Sequence, residues 1–367
     1  MANEAPPLEA EIRRLISIAG PMPIAQYMAT CLSHPIHGYY MTRDPFGATG
    51  DFITAPEISQ MFGELIGLWA GAVWRQMGSP ENIRLVELGP GRGTMMADAL
   101  RAAKVVPDFH SAIVVHLVEL SPVLQQVQQQ RLERFGVPVL WHKALEDVPD
   151  GPAIILANEF FDALPVHQAI KQEDGRWHER VVMADSNGNF MLGAPFGPLP
   201  HLDRLLPPRV RDAPPGSVFE WRTDSVALEI GRRVARNGAA LVIDYGHVET
   251  EVGDTVQAVG EHAYVNPLVA QGLVDLTAHV DFQSLAEAAE SIGARIHGPL
   301  HQGKFLRRLG IETRAATLKA KAPPDTMSEI DAQVERLTGS GAREMGTLFK
   351  VLGIGDPKLG MLPGFEP

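Results

Sequence analysis

Short apolar runs that alternate with helical patterns constrain this chain most. IRLVELG (83–89), VVHLVEL (114–120), VPVLWH (137–142), AIILAN (153–158) and AALVIDYG (239–246) are each bounded by turn-forming residues. Helical patterns lie between them at 94–104, 122–135 and 223–236. A strand that is apolar on both sides of its pleat must be covered on both faces. The alternation therefore predicts a parallel, doubly wound α/β sheet with helices on either side. A helix at 282–293 and a strand at 294–299 return to that core, residues 309–338 read as helical, and Met345–Leu352 reads as a last strand.

The rest of the chain is arranged around this core. Three helical signals precede it, at 8–19, 24–32 and 55–77. Thr54 and Glu57 have the spacing of a capping box at the start of the third, with Pro56 in its first turn, where a missing N–H costs nothing. Between 163 and 221 alternating strands surround Asp174-Gly175 and Asn187-Gly188, followed by a Pro-rich stretch, which indicates an inserted β-rich lobe. The expected division is an N-terminal helical region (1–80), a core (81–162, 222–300 and 341–367), the lobe (163–221) and a helical insertion (301–340). A length of 367 residues, 45% of them hydrophobic, is enough for such a core.

Several function classes are disfavoured. No window approaches the roughly 18 apolar residues of a transmembrane helix, so membrane insertion is not expected. The N-terminus lacks the pattern of a secretory or transit peptide, and the lone Cys31 offers no internal disulfide, so a cytoplasmic setting is expected. A net charge of −12 with scattered Lys and Arg disfavours nucleic acid and favours a cationic partner.

The densest chemical signal is Glu87-Leu88-Gly89-Pro90-Gly91-Arg92-Gly93, set between a predicted strand and a predicted helix. Glycines there let the backbone turn tightly and let a ligand approach without a Cβ clash. A dinucleotide fingerprint would carry its third glycine one residue later, where Thr94 stands. The tighter spacing, with an acid two residues ahead, resembles motif I of the class I methyltransferases, which holds the amino-acid end of S-adenosylmethionine. The next strand ends in Glu119, a carboxylate placed to accept hydrogen bonds from ribose hydroxyls. The loop after the third strand, with Leu145 and Glu146, is where that fold holds the adenine.

The fourth strand runs into Asn158-Glu159-Phe160-Phe161-Asp162. Ligands of open parallel sheets bind outside the carboxyl ends of the strands, so these acids face the expected site of methyl transfer. Arginine keeps its proton in proteins, and paired carboxylates grip its planar fork and polarise one nitrogen. Glu159 is the first candidate for that role, Asp162 the second, and Asn158 the orienting group. Asp162 has an alternative role as a cap for the following segment, with the two phenylalanines as core. The position also matches the N-P-P-Y-like loop of amino-group methyltransferases, although both prolines are absent.

Together with the glycine loop, the blocks GDFITAPEISQ (50–60), NEFFDALPV (158–166), IDYG (243–246), DLTAHVDF (275–282), QGKFLRRLGI (302–311) and EMGTLFKVL (344–352) resemble the MidA-type methyltransferases. The likeness covers nearly the whole chain. It implies a Rossmann-like class I core, S-adenosylmethionine as cofactor, and service in the assembly of respiratory complex I by methylating an arginine of one subunit. It also implies that the N-terminal region, with His37-Gly38-Tyr39-Tyr40 and Asp51, lies over the cofactor pocket. The absent transit pattern implies a bacterial relative of a mitochondrial family. A rival reading is an assembly chaperone that keeps the fold without turnover.

Other signals are weaker. Gly298 to Phe305 nearly forms a phosphate loop, but Phe305 replaces the hydroxyl that would hold Mg²⁺. His262, His279 and Asp281 match no metal spacing, so no metal is expected. His279 is expected to satisfy a local hydrogen bond or to line the substrate mouth, and Tyr245 is a candidate substrate contact.

Overall fold

The computed structural model describes residues 7–42, 54–260, 263–342 and 344–367. Seven strands form the central sheet: β1 (Ile83–Leu88), β2 (Ile113–Val118), β3 (Val139–His142), β4 (Ala153–Asn158), β5 (Gly238–His247), β6 (Arg295–His301) and β7 (Phe349–Gly355). Their order is β6-β7-β5-β4-β1-β2-β3, and the two-residue strand Val280–Asp281 pairs beside the end of β5. Strands β1 to β5 run parallel, while β7 runs antiparallel to both β5 and β6. Successive strands leave β1 in one direction and continue from β4 in the other. The β1/β4 boundary is therefore the topological switch point, where such sheets open a cleft.

The sheet explains why its strands are apolar throughout. Ile154 and Leu156 of β4 pack into one layer with Leu85, Leu241 and Ile243. Their neighbours Ile155 and Ala157 pack into the other with Val86, Ala240 and Val242. Helices α3 (Gln60–Gln76) and α4 (Thr94–Ala103) cover the first face. Helices α6 (Ser225–Val234) and α7 (Phe282–Ser291) cover the second. Two earlier helices, α1 (Pro7–Ala19) and α2 (Ile24–Ser33), pack away from the sheet, while α5 (Pro122–Leu132) links β2 to β3.

Several expectations are corrected. The helix foreseen over 55–77 is two: Ala55–Ile58, then α3, with Ser59 extended between them at φ −157°. Ser59 caps α3 by accepting from the Met61 amide at 3.3 Å. Thr54 makes no side-chain cap, and the Glu57 carboxylate turns instead to the Thr94 hydroxyl and towards Arg92 and Arg131. The last strand begins at Phe349 rather than Met345, and the 309–338 stretch is broken at Ala320 to Pro323 into Ile311–Lys319 and Pro324–Thr338.

The β-rich lobe is larger than its sequence signal. Strands His167–Lys171, Trp177–Ala184, Phe190–Gly193 and Val218–Trp221 are joined by Met22–Pro23 from the N-terminal region. A second, three-stranded sheet was not foreseen. It comprises Gln257–Gly260, Ala263–Val265 and Asp275–Thr277, within a stretch assigned to the core. Helices α1 and α2 pack against both sheets through Leu8, Ile12, Tyr27 and Met28, which meet Val166, Val182, Ala258 and Leu276. Among the described residues no helix is long and apolar enough to cross a membrane.

Helix α3 sits close on α4, the helix that follows the glycine loop. A Cβ on Gly67 would lie 2.5 Å from Ala99 Cα. Gly67→Ala is therefore expected to destabilise the protein by about 1–3 kcal/mol, as overpacking does. Urea unfolding checks this, and an unchanged midpoint would show that the two helices can part freely.

Candidate active site

The loop from β1 to α4 takes its shape from three glycines. Gly89, Gly91 and Gly93 have φ of +59°, +52° and +73°, the left-handed region that L side chains enter at a cost. A Cβ on Gly89 would also stand 2.9 Å from the Phe160 ring, so the loops after β1 and β4 touch. The Gln128 amide, on α5, donates to Gly91 O at 2.7 Å and to Glu119 Oε2 at 3.0 Å. Its own oxygen accepts from Trp141 Nε1 at 2.8 Å.

Glu119 follows β2 directly, and its Oε1 accepts from the Ser121 amide at 2.8 Å. Fixed by these donors yet buried, its carboxyl is pushed up to about 7 by desolvation. Glu87, buried behind it, is pushed up to about 8 by burial and by the nearby Glu119 charge. Glu87 Oε2 has no hydrogen-bond partner among the described residues.

A cavity of about 560 Å³ opens at the switch point. Gly89, Gly91, Glu119, Leu145 and Glu146 line it, and so do Glu159, Asp162, Tyr245 and His279. The glycine loop and the acid loop therefore line one cavity. Glu87, Gly93 and Thr94 do not line it. The Thr94 hydroxyl is taken up by Glu57 and Arg131, and Asp51 lies outside the described residues.

At the other end, Asp244 organises the loop after β4. Its fully buried carboxylate accepts from the Phe161 and Asp162 amides at 3.0 and 3.2 Å, and from the Tyr245 amide at 2.9 Å. Glu159 has φ +50°, rare for a residue with a Cβ, and its amide donates to Ile243 O at 2.9 Å. Such backbone costs of order 1–3 kcal/mol and persists where the surroundings over-determine it. Glu159 Oε1 accepts from the Ala55 amide at 3.1 Å and from Asn158 Nδ2 at 3.3 Å. Burial, then the neighbouring Asp162, pushes its carboxyl up to about 8. Asp162 is likewise raised by burial, despite a hydrogen bond from Tyr245 and the nearby Arg222 charge.

Asn158 Oδ1 and Asp162 Oδ1 are buried without a hydrogen-bond partner among the described residues. Phe161 is core, as one alternative held, whereas Phe160 borders the cavity. The His279 ring meets Tyr245 edge-on at 5.6 Å, while its amide donates to the Thr255 hydroxyl at 2.9 Å.

Sequence reasoning missed Arg222. Its guanidinium donates to the carbonyls of Leu164, His279, Asp162 and Ala278 at 2.7–3.4 Å. It ties the acid loop to the segment after the small sheet and places a cation near Asp162 and Asp244. An isolated arginine after a Pro-rich stretch carries no motif that would have revealed this. Asp244 was read only as part of IDYG.

The cavity fits a nucleoside with an amino-acid tail. One end offers backbone unencumbered by side chains and an oriented carboxylate, within the volume usual for small-molecule sites. A family model described as "Putative S-adenosyl-L-methionine-dependent methyltransferase" matches residues 65–300. The Drosophila melanogaster protein named protein arginine methyltransferase NDUFAF7 homolog, mitochondrial, is 41% identical over 377 residues, covering 94% of this chain and 84% of its own length. The Homo sapiens protein arginine methyltransferase NDUFAF7, mitochondrial, is 36% identical over 355 residues, covering 87% and 77%. A Burkholderia thailandensis crystal structure bound to S-adenosyl-homocysteine superposes with a TM-score of 0.84 at 28% identity, over 98% of this chain and 94% of that one.

Arg222→Ala would strip four carbonyls of their donor and leave the Asp162–Asp244 pair without its cation. A loss of about 3 kcal/mol or more in unfolding free energy is expected. Wild-type stability would show that water replaces the guanidinium. Gly91→Val, a branched side chain forced to positive φ, should weaken S-adenosyl-homocysteine binding by calorimetry at least about tenfold. Unchanged affinity would remove the glycine loop from the site.

Proposed function

The chain belongs to the family of S-adenosyl-L-methionine-dependent methyltransferases, and we propose that the acceptor of its methyl group is an arginine side chain on a protein. The observation that carries the reading is the acid end of the cavity. Glu159 and Asp162 are held side by side on a strained loop, both raised by burial, next to the end that takes the cofactor. A cation is the acceptor that relieves such a pair, and arginine is the side chain whose planar fork two carboxylates match. The arginine methyltransferase names of the relatives point the same way.

In this reading Gly89 and Gly91 admit the donor's tail, Gly93 turns the chain into the helix behind them, Glu119 takes the ribose, and Leu145 and Glu146 border the adenine. Glu87 and Thr94 shape the loop from behind. When bound, the donor supplies an electrophilic methyl on a sulfonium. Glu159 Oε1 is engaged by Ala55 and Asn158, which leaves Oε2 for the guanidinium. Asp162 takes the neighbouring edge. The attacking nitrogen loses a proton as it gains the methyl, the donor leaving as S-adenosyl-homocysteine, and the Glu159 carboxylate receives that proton. Phe160 keeps water from the reacting edge.

The protein partner in this proposal is a respiratory complex I subunit, a point that rests on the resemblance to the MidA-type proteins. Mass spectrometry of complex I subunits incubated with enzyme and donor tests the reading: a methylated arginine supports it, and methyl on another residue type overturns it.

Glu159→Gln should lower kcat/KM for the arginine acceptor at least about a hundredfold, while S-adenosyl-homocysteine affinity stays within about twofold. Transfer at the wild-type rate would remove Glu159 from its role. The free carboxyl holds its proton until pH reaches about 8, and only the ionised form grips a cation. Wild-type kcat/KM should therefore rise with pH through that value and level off above it. A profile already flat from about pH 6 would contradict this.

A further inference from the structure

The Glu159 carboxylate is held from outside its own loop. The Ala55 amide that donates to its Oε1 at 3.1 Å belongs to the short helix Ala55–Ile58, and Thr54 just ahead lines the cavity. Glu57 anchors this turn at its far side. Its Oε1 accepts from the hydroxyl of Thr94, the first residue of α4, and the Arg131 guanidinium donates to that same hydroxyl. Arg131 also stands 3.9 Å from Glu57 Oε1. It lies three residues beyond Gln128 on α5, so the two side chains leave one helix face. Gln128 holds Gly91 and Glu119, and Arg131 holds Thr94. A chain of contacts thus runs from the cofactor end, through Thr94 and Glu57, to the Ala55 amide and Glu159.

That amide works against the rest of the surroundings. Asp162 on the same loop and Asp275 on the small sheet, which accepts from the Tyr40 hydroxyl at 2.8 Å, both bring negative charge to Glu159. Asp244, on β5, adds mutual repulsion, while Arg222 serves Asp162 and Asp244. Two amide donors oppose these acids: Asn158 on the acid loop itself and Ala55 on the separate turn. A hydrogen bond to the charged form of a carboxyl lowers its proton affinity, and the Ala55 bond does so for Glu159.

We propose that Glu57 and Thr94 are positioning residues, which fasten the Thr54–Ile58 turn so that its Ala55 amide holds the Glu159 carboxylate for the acceptor. The effect on turnover rests on the reading of Glu159 given above; the effect on the carboxyl itself does not. Thr94→Val keeps the shape of the side chain and removes the hydroxyl, and Thr94→Ser keeps the hydroxyl. Ala55→Pro removes the amide hydrogen itself, at the first helical position, which proline favours. Thr54 before it is already extended, at φ −81° and ψ 163°, as a residue preceding proline must be.

The test titrates Glu159 in the full-length protein and measures turnover separately. The infrared band of its protonated carboxyl, assigned by its loss in Glu159→Gln, gives the midpoint. Thr94→Val and Ala55→Pro should each move that midpoint up by at least about half a pH unit, because the charged form loses its donor. Thr94→Ser should return it to within about 0.2 pH unit of the wild type. An unmoved midpoint in folded Thr94→Val overturns the proposal, whatever the enzyme methylates. Should Thr94→Val fail to fold, Glu57→Ala takes its place, and an unmoved midpoint there overturns it equally. Turnover is measured with a mixture of purified complex I subunits and radiolabelled S-adenosylmethionine. In Thr94→Val kcat should fall about tenfold or more, with acceptor KM and S-adenosyl-homocysteine affinity within about threefold. A loss of S-adenosyl-homocysteine affinity equal to the loss of turnover would make Thr94 a cofactor contact and overturn its positioning role. A raised midpoint with wild-type kcat would overturn the reading of Glu159 while leaving the hydrogen bond as described.

Discussion

The site depends on the Asp244 carboxylate. At the end of β5, with no exposure to solvent, it accepts from the amides of Phe161, Asp162 and its own neighbour Tyr245. Backbone donors of this kind satisfy a buried carboxyl group without adding a side chain to the cavity. The contact pins the loop after β4 to the adjacent strand and shapes everything beyond it. Glu159 is carried into a left-handed conformation and points its carboxylate at the Ala55 amide and the cavity. Phe160 is brought against the glycine loop. The two ends of the cavity are thereby held in one rigid frame.

That frame confines negative charge. Asp244, Asp162 and Glu159 each raise one another or are raised by burial, and Arg222 is the cation set among them. Like charges in a low-dielectric space favour proton uptake or a cationic guest. The fold therefore carries a standing electrostatic cost that a bound guanidinium would relieve, and functional sites commonly hold strain of this sort. The acidic balance of the whole chain, −12, adds long-range attraction for a basic acceptor.

The parts legible in sequence are those set by local periodicity. Apolar strands such as Ala153–Asn158 announce a sheet covered on both faces, and the glycine spacing at 89, 91 and 93 announces a tight turn that the backbone angles realise. The acid loop was visible because it follows a strand whose end could be placed. What was hidden depends on distant partners. Arg222 finds its carbonyls 56–60 residues away, and Tyr40 finds Asp275 across 235. The Thr54–Glu57 spacing promised a capping box, yet Glu57 has arginines and the Thr94 hydroxyl within reach and goes to them. The three-stranded sheet at 257–277 was missed because its strands are short and lack a clean alternation.

One measurement tests the account at its centre: a crystal structure of this protein with S-adenosyl-homocysteine bound. The ribose hydroxyls should lie on Glu119, with the tail over Gly89 and Gly91. The sulfur should face the space between Glu159 and Asp162, within reach of a guanidinium held there. A nucleoside bound elsewhere, or a sulfur turned away from those acids, would contradict the shared cavity on which the proposed chemistry depends.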